Sequence, residues 1–197
     1  FYNYWDPAFD SDGKHISWKN YYATVFPTSA DSAVYSLNNF TGLYAKTKLF
    51  KDALFDTSLD PVILDAVSAT LSVLKSPTTL RFDDGAFYGW EGVMAEKGSC
   101  EGSCTHVWNY NYALPFLFPD LERSMRDLEY EYNQFENGRM RFRLLLPKGT
   151  DNGWWDMPCV DGQMGGIFKI YREWKISGDS EWLRKIWPKA KRSLTYA

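Results

Sequence analysis

The chain has 197 residues, with 22 Lys and Arg against 25 Asp and Glu, a net charge near −3 and 45% hydrophobic residues. A chain of this length and balance folds into about one globular domain with a sizeable core, which excludes disorder. No apolar run reaches the roughly 18–20 residues of a membrane span, and no block of like charge offers itself to nucleic acid or a lipid surface.

Aromatic content stands out, with 13 Phe, 13 Tyr and 9 Trp making 18% of the chain. Such rings dominate core energetics and also stack on the apolar faces of sugars, so both a core reading and a carbohydrate reading follow. The chain opens at Phe1 without an initiator Met and stops within a helical pattern at Ala197, which reads as a segment of something longer.

Residues 1–27 mix aromatics, Asp, Gly and Pro without a helical period and read as a linker or the tail of a preceding domain. Thr28 to Asp31 has capping-box spacing, and Val34, Leu37, Thr41 and Tyr44 step by three and four, predicting one helix over about 30–54. Asp60-Pro61 then starts a second helix, which carries Leu64, Val67, Leu71 and Leu74 and ends at Pro77. From Thr79 the period falls to two, and Asp84-Gly85 supplies the turn of a β-hairpin that delivers Trp90 and Glu91 to a loop over 92–104.

Helical spacing resumes at Leu114 and runs to Tyr132 across Pro119, predicting a kinked helix or two stacked ones. Asn137-Gly138 is a turn, followed by a short amphipathic strand with Met140, Phe142 and Leu144 alternating with arginines. Asp161 can cap a helix with Met164, Ile167, Phe168, Tyr171 and Trp174 on one side, closed by Gly178. A final helix starts at Asp179 or Ser180 with Leu183, Ile186, Trp187, Ala190 and Leu194 facing inward. The predicted fold is mainly α with short β-hairpins, its amphipathic helical hairpins forming part of a toroid or solenoid, and no fixed-period repeat is visible.

The densest chemistry lies between Phe87 and Tyr110. Glu91, between Trp90 and Gly92 at the mouth of a Gly-rich loop, has the setting of an exposed nucleophile or of a plain surface acid. Cys100 and Cys104 lack the four paired ligands of a structural zinc site and the two-residue gap of a redox pair, so they read as loop-shaping and no metal is expected. Asp161 reads equally as a helix cap and as a carboxylate facing a cleft. Gly162-Gln163-Met164-Gly165-Gly166 lacks the spacing of a phosphate loop.

Trp90-Glu91-Gly92, the run from Cys100 to Tyr110, Leu117 to Ser124, Asp161-Gly162-Gln163, Tyr171 to Trp174, Ser177-Gly178-Asp179 and Trp187-Pro188 together resemble the catalytic region of glycoside hydrolase family 116. That family includes the non-lysosomal glucosylceramidases, or bile-acid β-glucosidases, and the likeness spans about 18–197. It implies that 28–197 form the N-terminal part of an (α/α)6 catalytic domain behind an N-terminal β-rich domain, acting as a retaining β-glycosidase on β-glucosides. The match to the family's motif assigns the nucleophile to Glu91. The family's acid/base Asp lies in a Thr-Tyr-Asp-like motif well downstream, and 1–197 contain none. A substrate-binding Asp of the glucosylceramidase branch falls at or near His106, in a loop longer here.

Trp90 and Trp108 are the candidates for ring stacking, His106 and Asp161 for hydroxyl contacts, and Trp154 or Trp155 for the rim. An inverting hydrolase or phosphorylase on a similar toroid and a non-catalytic carbohydrate-binding protein are the alternatives. No cofactor is expected, the partner is a β-glucoside or related sugar, and oligomeric state is left open. The acidic, disulfide-poor composition leans toward the cytoplasm.

Overall fold

The computed structural model describes residues 19–76, 78–89, 102–146, 148–149 and 157–197. These are mainly helical, with two small antiparallel strand pairs. Among them no helix is long and apolar enough to cross a membrane.

Helix α1 (Tyr22–Val25) falls inside the expected linker, whose described end is docked. Asn20 pairs with Phe82, and Tyr21 N–H donates to the Arg81 carbonyl at 2.8 Å. Helices α2 (Ser29–Asn38) and α3 (Phe40–Phe55) replace the single helix expected over 30–54. The break is at Asn39, whose side-chain amide donates to the Tyr35 carbonyl at 2.8 Å, competing with the helical ladder as Asn side chains do. The capping box at Thr28 and Asp31 is formed as expected. Helix α4 (Pro61–Leu71) is capped by Asp60, which accepts from Val62 N–H at 3.0 Å. A 3₁₀ turn continues it to Lys75. No residue of α2, α3 or α4 is buried, so the stripe through Val34, Leu37 and Tyr44 faces solvent.

Strands β1 (Thr79–Arg81) and β2 (Phe87–Gly89) form the expected hairpin, with Leu80 opposite Tyr88 and Gly85 at φ +87° in the turn. Strand β3 (Ser103–Cys104) pairs with β4 (Arg143–Leu144), a long-range contact that periodicity does not predict. Helices α5 (Leu114–Leu117) and α6 (Pro119–Tyr132) meet at Phe118, with Pro119 at the first position of α6, where its missing N–H costs nothing.

Helix α7 (Val160–Ser177) and α8 (Ser180–Tyr196) make the expected helical hairpin around Gly178, at φ +69°, with Asp179 capping α8 through Trp182 N–H. The inward face of α7 differs from the expected one, and that of α8 agrees at Ile186 and Ala190 but not throughout. On α7 the buried residues are Gly162, Gln163, Gly166, Lys169, Ile170 and Glu173, while Phe168 and Tyr171 are exposed. On α8 they are Trp182, Ile186, Ala190 and Ser193, with Trp187 and Leu194 half exposed. Polar bonding sets the rotation of α7. Gln163 accepts from Met140 N–H at 2.7 Å and donates to the Gly138 and Ser193 carbonyls at 2.9 and 3.0 Å. One buried amide so ties α7 to the 137–140 turn and to α8.

Between α6 and α7 the core is ionic. Fully buried Arg126 bonds Glu129 and lies 3.6 Å from both Glu122 and Glu173, and Arg172 donates to Glu122 at 2.8 Å and to Glu173 at 3.0 Å. Burial raises the Glu173 carboxyl to about 8. Lys169 is 5% exposed, its Nζ meets no hydrogen-bond acceptor among the described residues, and burial lowers it to about 8. Below pH 8 Lys169 is charged in both folded and unfolded chains. From there to 10.5 only the unfolded chain keeps the proton, so stability rises with pH by about 1.4 kcal/mol per unit. The parent is therefore expected to gain on the order of 3 kcal/mol over Lys169→Met between pH 8 and 10.5, read as the difference of their urea midpoints. Parallel pH profiles would contradict this.

Candidate functional site

The site grows from the end of β2. Gly89 N–H donates to Ser103 Oγ at 3.1 Å, and the Gly89 carbonyl accepts from Trp108 Nε1 at 2.8 Å. A Cβ on Gly89 would fall 1.5 Å from the indole, so only glycine lets the strand come this close to that ring. Trp108 therefore has a different place from the open stacking platform expected of it. It is 5% exposed and edge-on to Phe87, a wall that holds the strand leading toward Trp90 and Glu91. Trp90, Glu91, Cys100, Trp154 and Trp155 themselves lie outside the described residues.

Beyond β3 the chain turns sharply. Thr105 fixes the turn by donating both its N–H, at 3.0 Å, and its hydroxyl, at 2.9 Å, to the Phe142 carbonyl. Buried Cys104 accepts from Val107 N–H at 3.4 Å, in keeping with a loop-shaping role. Against this turn comes the N-terminus of α7, closer than side chains would allow. A Cβ at Gly162 would sit 2.3 Å from Thr105 Oγ1, and one at Gly165 would sit 2.4 Å from Asn109 Oδ1. Asn109 Nδ2 then donates to the Asp161 carbonyl at 2.9 Å, fixing the approach. The Gly-rich run that fails as a phosphate loop is thus a packing surface.

This contact brings together His106 and Asp161, which the sequence offers as separate candidates. His106 Nδ1 is 2.5 Å from Asp161 Oδ2, and the Tyr110 ring stands edge-on to the imidazole at 5.3 Å. Cys159, rather than Asp161, is the N-cap residue of α7. Asp161 sits in the first turn, where Oδ1 accepts from Gly162 N–H at 3.0 Å and from the Cys159 thiol at 2.5 Å. The hydrogen bonds from Cys159 and His106 hold the Asp161 carboxyl below its ordinary range. Burial, reinforced by the bond to Asp161, pushes the Cys159 thiol up, so it stays protonated and donates. The side chains of His106 and Asp161 are 41% and 46% exposed, open to a ligand from solvent.

Sequence reasoning misses Cys159. The signal available is its spacing, two residues before an acid at a helix start, and nothing local says that His106 is the third member. His106, Cys159 and Asp161 are the group of donor atoms able to share a metal ion among the described residues. No protein-family model matches the chain, and no curated protein matches it.

An exposed helical Gly→Ala exchange ordinarily stabilises by up to about 1 kcal/mol. Gly162→Ala is expected to reverse that sign and destabilise by about 1–3 kcal/mol, because Thr105 and its backbone must move. Chemical denaturation measures it, and a gain in stability would place α7 farther from the turn.

Proposed function

We propose that the chain carries the nucleophile-bearing part of a retaining β-glycosidase acting on β-glucosides, built on part of an (α/α)6 toroid, with Glu91 as nucleophile. The supporting observation is the grip on Gly89. Both of its backbone polar groups are bonded to side chains more than ten residues later in the chain, so the strand end two residues before Glu91 is held in place. Rigid placement matters because a carboxylate attacking carbon must be held in line with the breaking bond.

In this reading a Glu91 oxygen bonds to the anomeric carbon as the glycosidic C–O bond breaks, and the leaving oxygen takes a proton from a second carboxyl about 5–5.5 Å away. That acid, an Asp outside these 197 residues, then takes a proton from water as the water oxygen displaces Glu91 from the sugar. Its proton is retained at neutral pH only if its environment raises its pKa.

His106 and Asp161 serve the sugar hydroxyls. With Nδ1–H donated to Asp161, a neutral imidazole offers Nε2 as an acceptor in a fixed orientation. In this reading Trp90 is the candidate for ring stacking and Trp154 or Trp155 for the rim, while Trp108 packs beside the strand end. The aromatic content of the chain fits such a substrate.

Glu91→Gln in the intact parent protein is expected to keep the fold and lower turnover of an aryl β-glucoside by more than about a thousandfold. A fluoroglycoside label should map to the peptide carrying Glu91, and the first sugar released should be the β-anomer. Near-normal turnover, a label elsewhere or an inverted product would overturn the assignment.

A further inference from the structure

We propose that His106, Cys159 and Asp161 bind one divalent transition-metal ion of the zinc class. The inference stands on these three residues and not on the glycosidase reading. It also departs from the expectation of no metal, which considers Cys100 and Cys104 and leaves Cys159 aside.

An imidazole nitrogen, a sulfur and a carboxylate oxygen lie within 4.8 Å of one another, donated by two segments more than fifty residues apart in sequence. Mixed nitrogen, sulfur and oxygen donors suit borderline ions such as zinc, whereas calcium and magnesium want oxygen alone. Three protein ligands with a fourth position left to water is the composition of a zinc site that keeps an open coordination position.

The geometry needs only side-chain adjustment. The Asp161 oxygens now stand 2.5 Å from both His106 Nδ1 and Cys159 Sγ. Around zinc, with bonds of roughly 2.0–2.3 Å, tetrahedral donors stand roughly 3.5 Å apart, so each pair opens by about 1 Å. The backbones that carry them stay put. Asn109 holds the Asp161 carbonyl, and Gln163 N–H donates to the Cys159 carbonyl at 2.7 Å. Gly162 N–H orients the carboxylate from behind, as outer-shell donors do in metal sites.

Electrostatics favour the same ion. In the metal-free triad the thiol proton bridges sulfur to the carboxylate. An arriving cation replaces that proton and takes the Nδ1 lone pair, the Nδ1 proton of His106 shifting through solvent to Nε2, which leaves thiolate, carboxylate and neutral imidazole around a 2+ charge. The released thiol proton goes to solvent, which both His106 and Asp161 reach.

Cobalt(II), added to the chelator-treated 197-residue chain, reports the ligands directly. One equivalent should give a near-ultraviolet thiolate-to-cobalt charge-transfer band and the strong visible bands of four-coordination, and zinc should remove both. Cys159→Ser should abolish the charge-transfer band, and His106→Ala should weaken binding by at least about tenfold, with circular dichroism establishing that each variant folds. In the unmutated chain, zinc should slow alkylation of Cys159 at least about tenfold, and a chelator should restore it. A featureless cobalt spectrum, a charge-transfer band that survives Cys159→Ser, or alkylation of Cys159 indifferent to zinc would overturn the proposal.

Discussion

The close approach of α7 to the turn at 105–109 is the constraint from which the candidate site follows. Gly162 and Gly165 each leave out a Cβ that would collide with Thr105 or Asn109. Glycine weakens a helix by about 1 kcal/mol per position, so these two residues lower the propensity of α7 where it begins. The return is position. Cys159 and Asp161, at the start of α7, land on His106, while Trp108, two residues after His106, presses against Gly89. One packing contact so connects the helix start, the histidine turn and the strand that leads toward Glu91.

Behind that contact the helices are joined by polar chemistry rather than an apolar seam. Gln163 locks α7 to the 137–140 turn and to α8, and Arg126, Arg172 and Lys169 share the α6–α7 interior with Glu122, Glu129 and Glu173. Removing one member of such a buried set strands its partners and costs about 3–5 kcal/mol, far more than an exposed pair contributes. The same groups admit few alternative rotations of α7, because every turn of the helix would separate bonded charges. The start of α7 is thus aimed at the 105–109 turn from both ends, by close packing at its tip and by ion pairs along its length.

What local chemistry decides was legible in the sequence. The capping box at Thr28, the Asp60-Pro61 start, the turns at Gly85 and Gly138, and the Gly178-Asp179 junction each depend on a few neighbouring residues. What distant partners decide was not. Apolar spacing turned α7 toward Phe168 and Tyr171, yet its buried face is the polar one, because Gln163, Lys169 and Glu173 find partners or charged neighbours on other elements. On α8 the same reading placed Ile186 and Ala190 in the core, where they are, but added Trp187 and Leu194, which are half exposed, and passed over Trp182 and Ser193, which are buried. His106 and Asp161 were visible singly as candidates. Their union with Cys159 was not, because it depends on where glycines allow a helix to dock.

The gathering of His106 with the start of α7 is therefore the central claim, and proton NMR tests it most directly. The chain has two histidines, so the His106 imidazole signals are readily assigned. The account predicts nuclear Overhauser contacts from the His106 ring to the β protons of Asp161 and to the ring of Tyr110. A His106 ring whose contacts lie wholly outside α7 would contradict it.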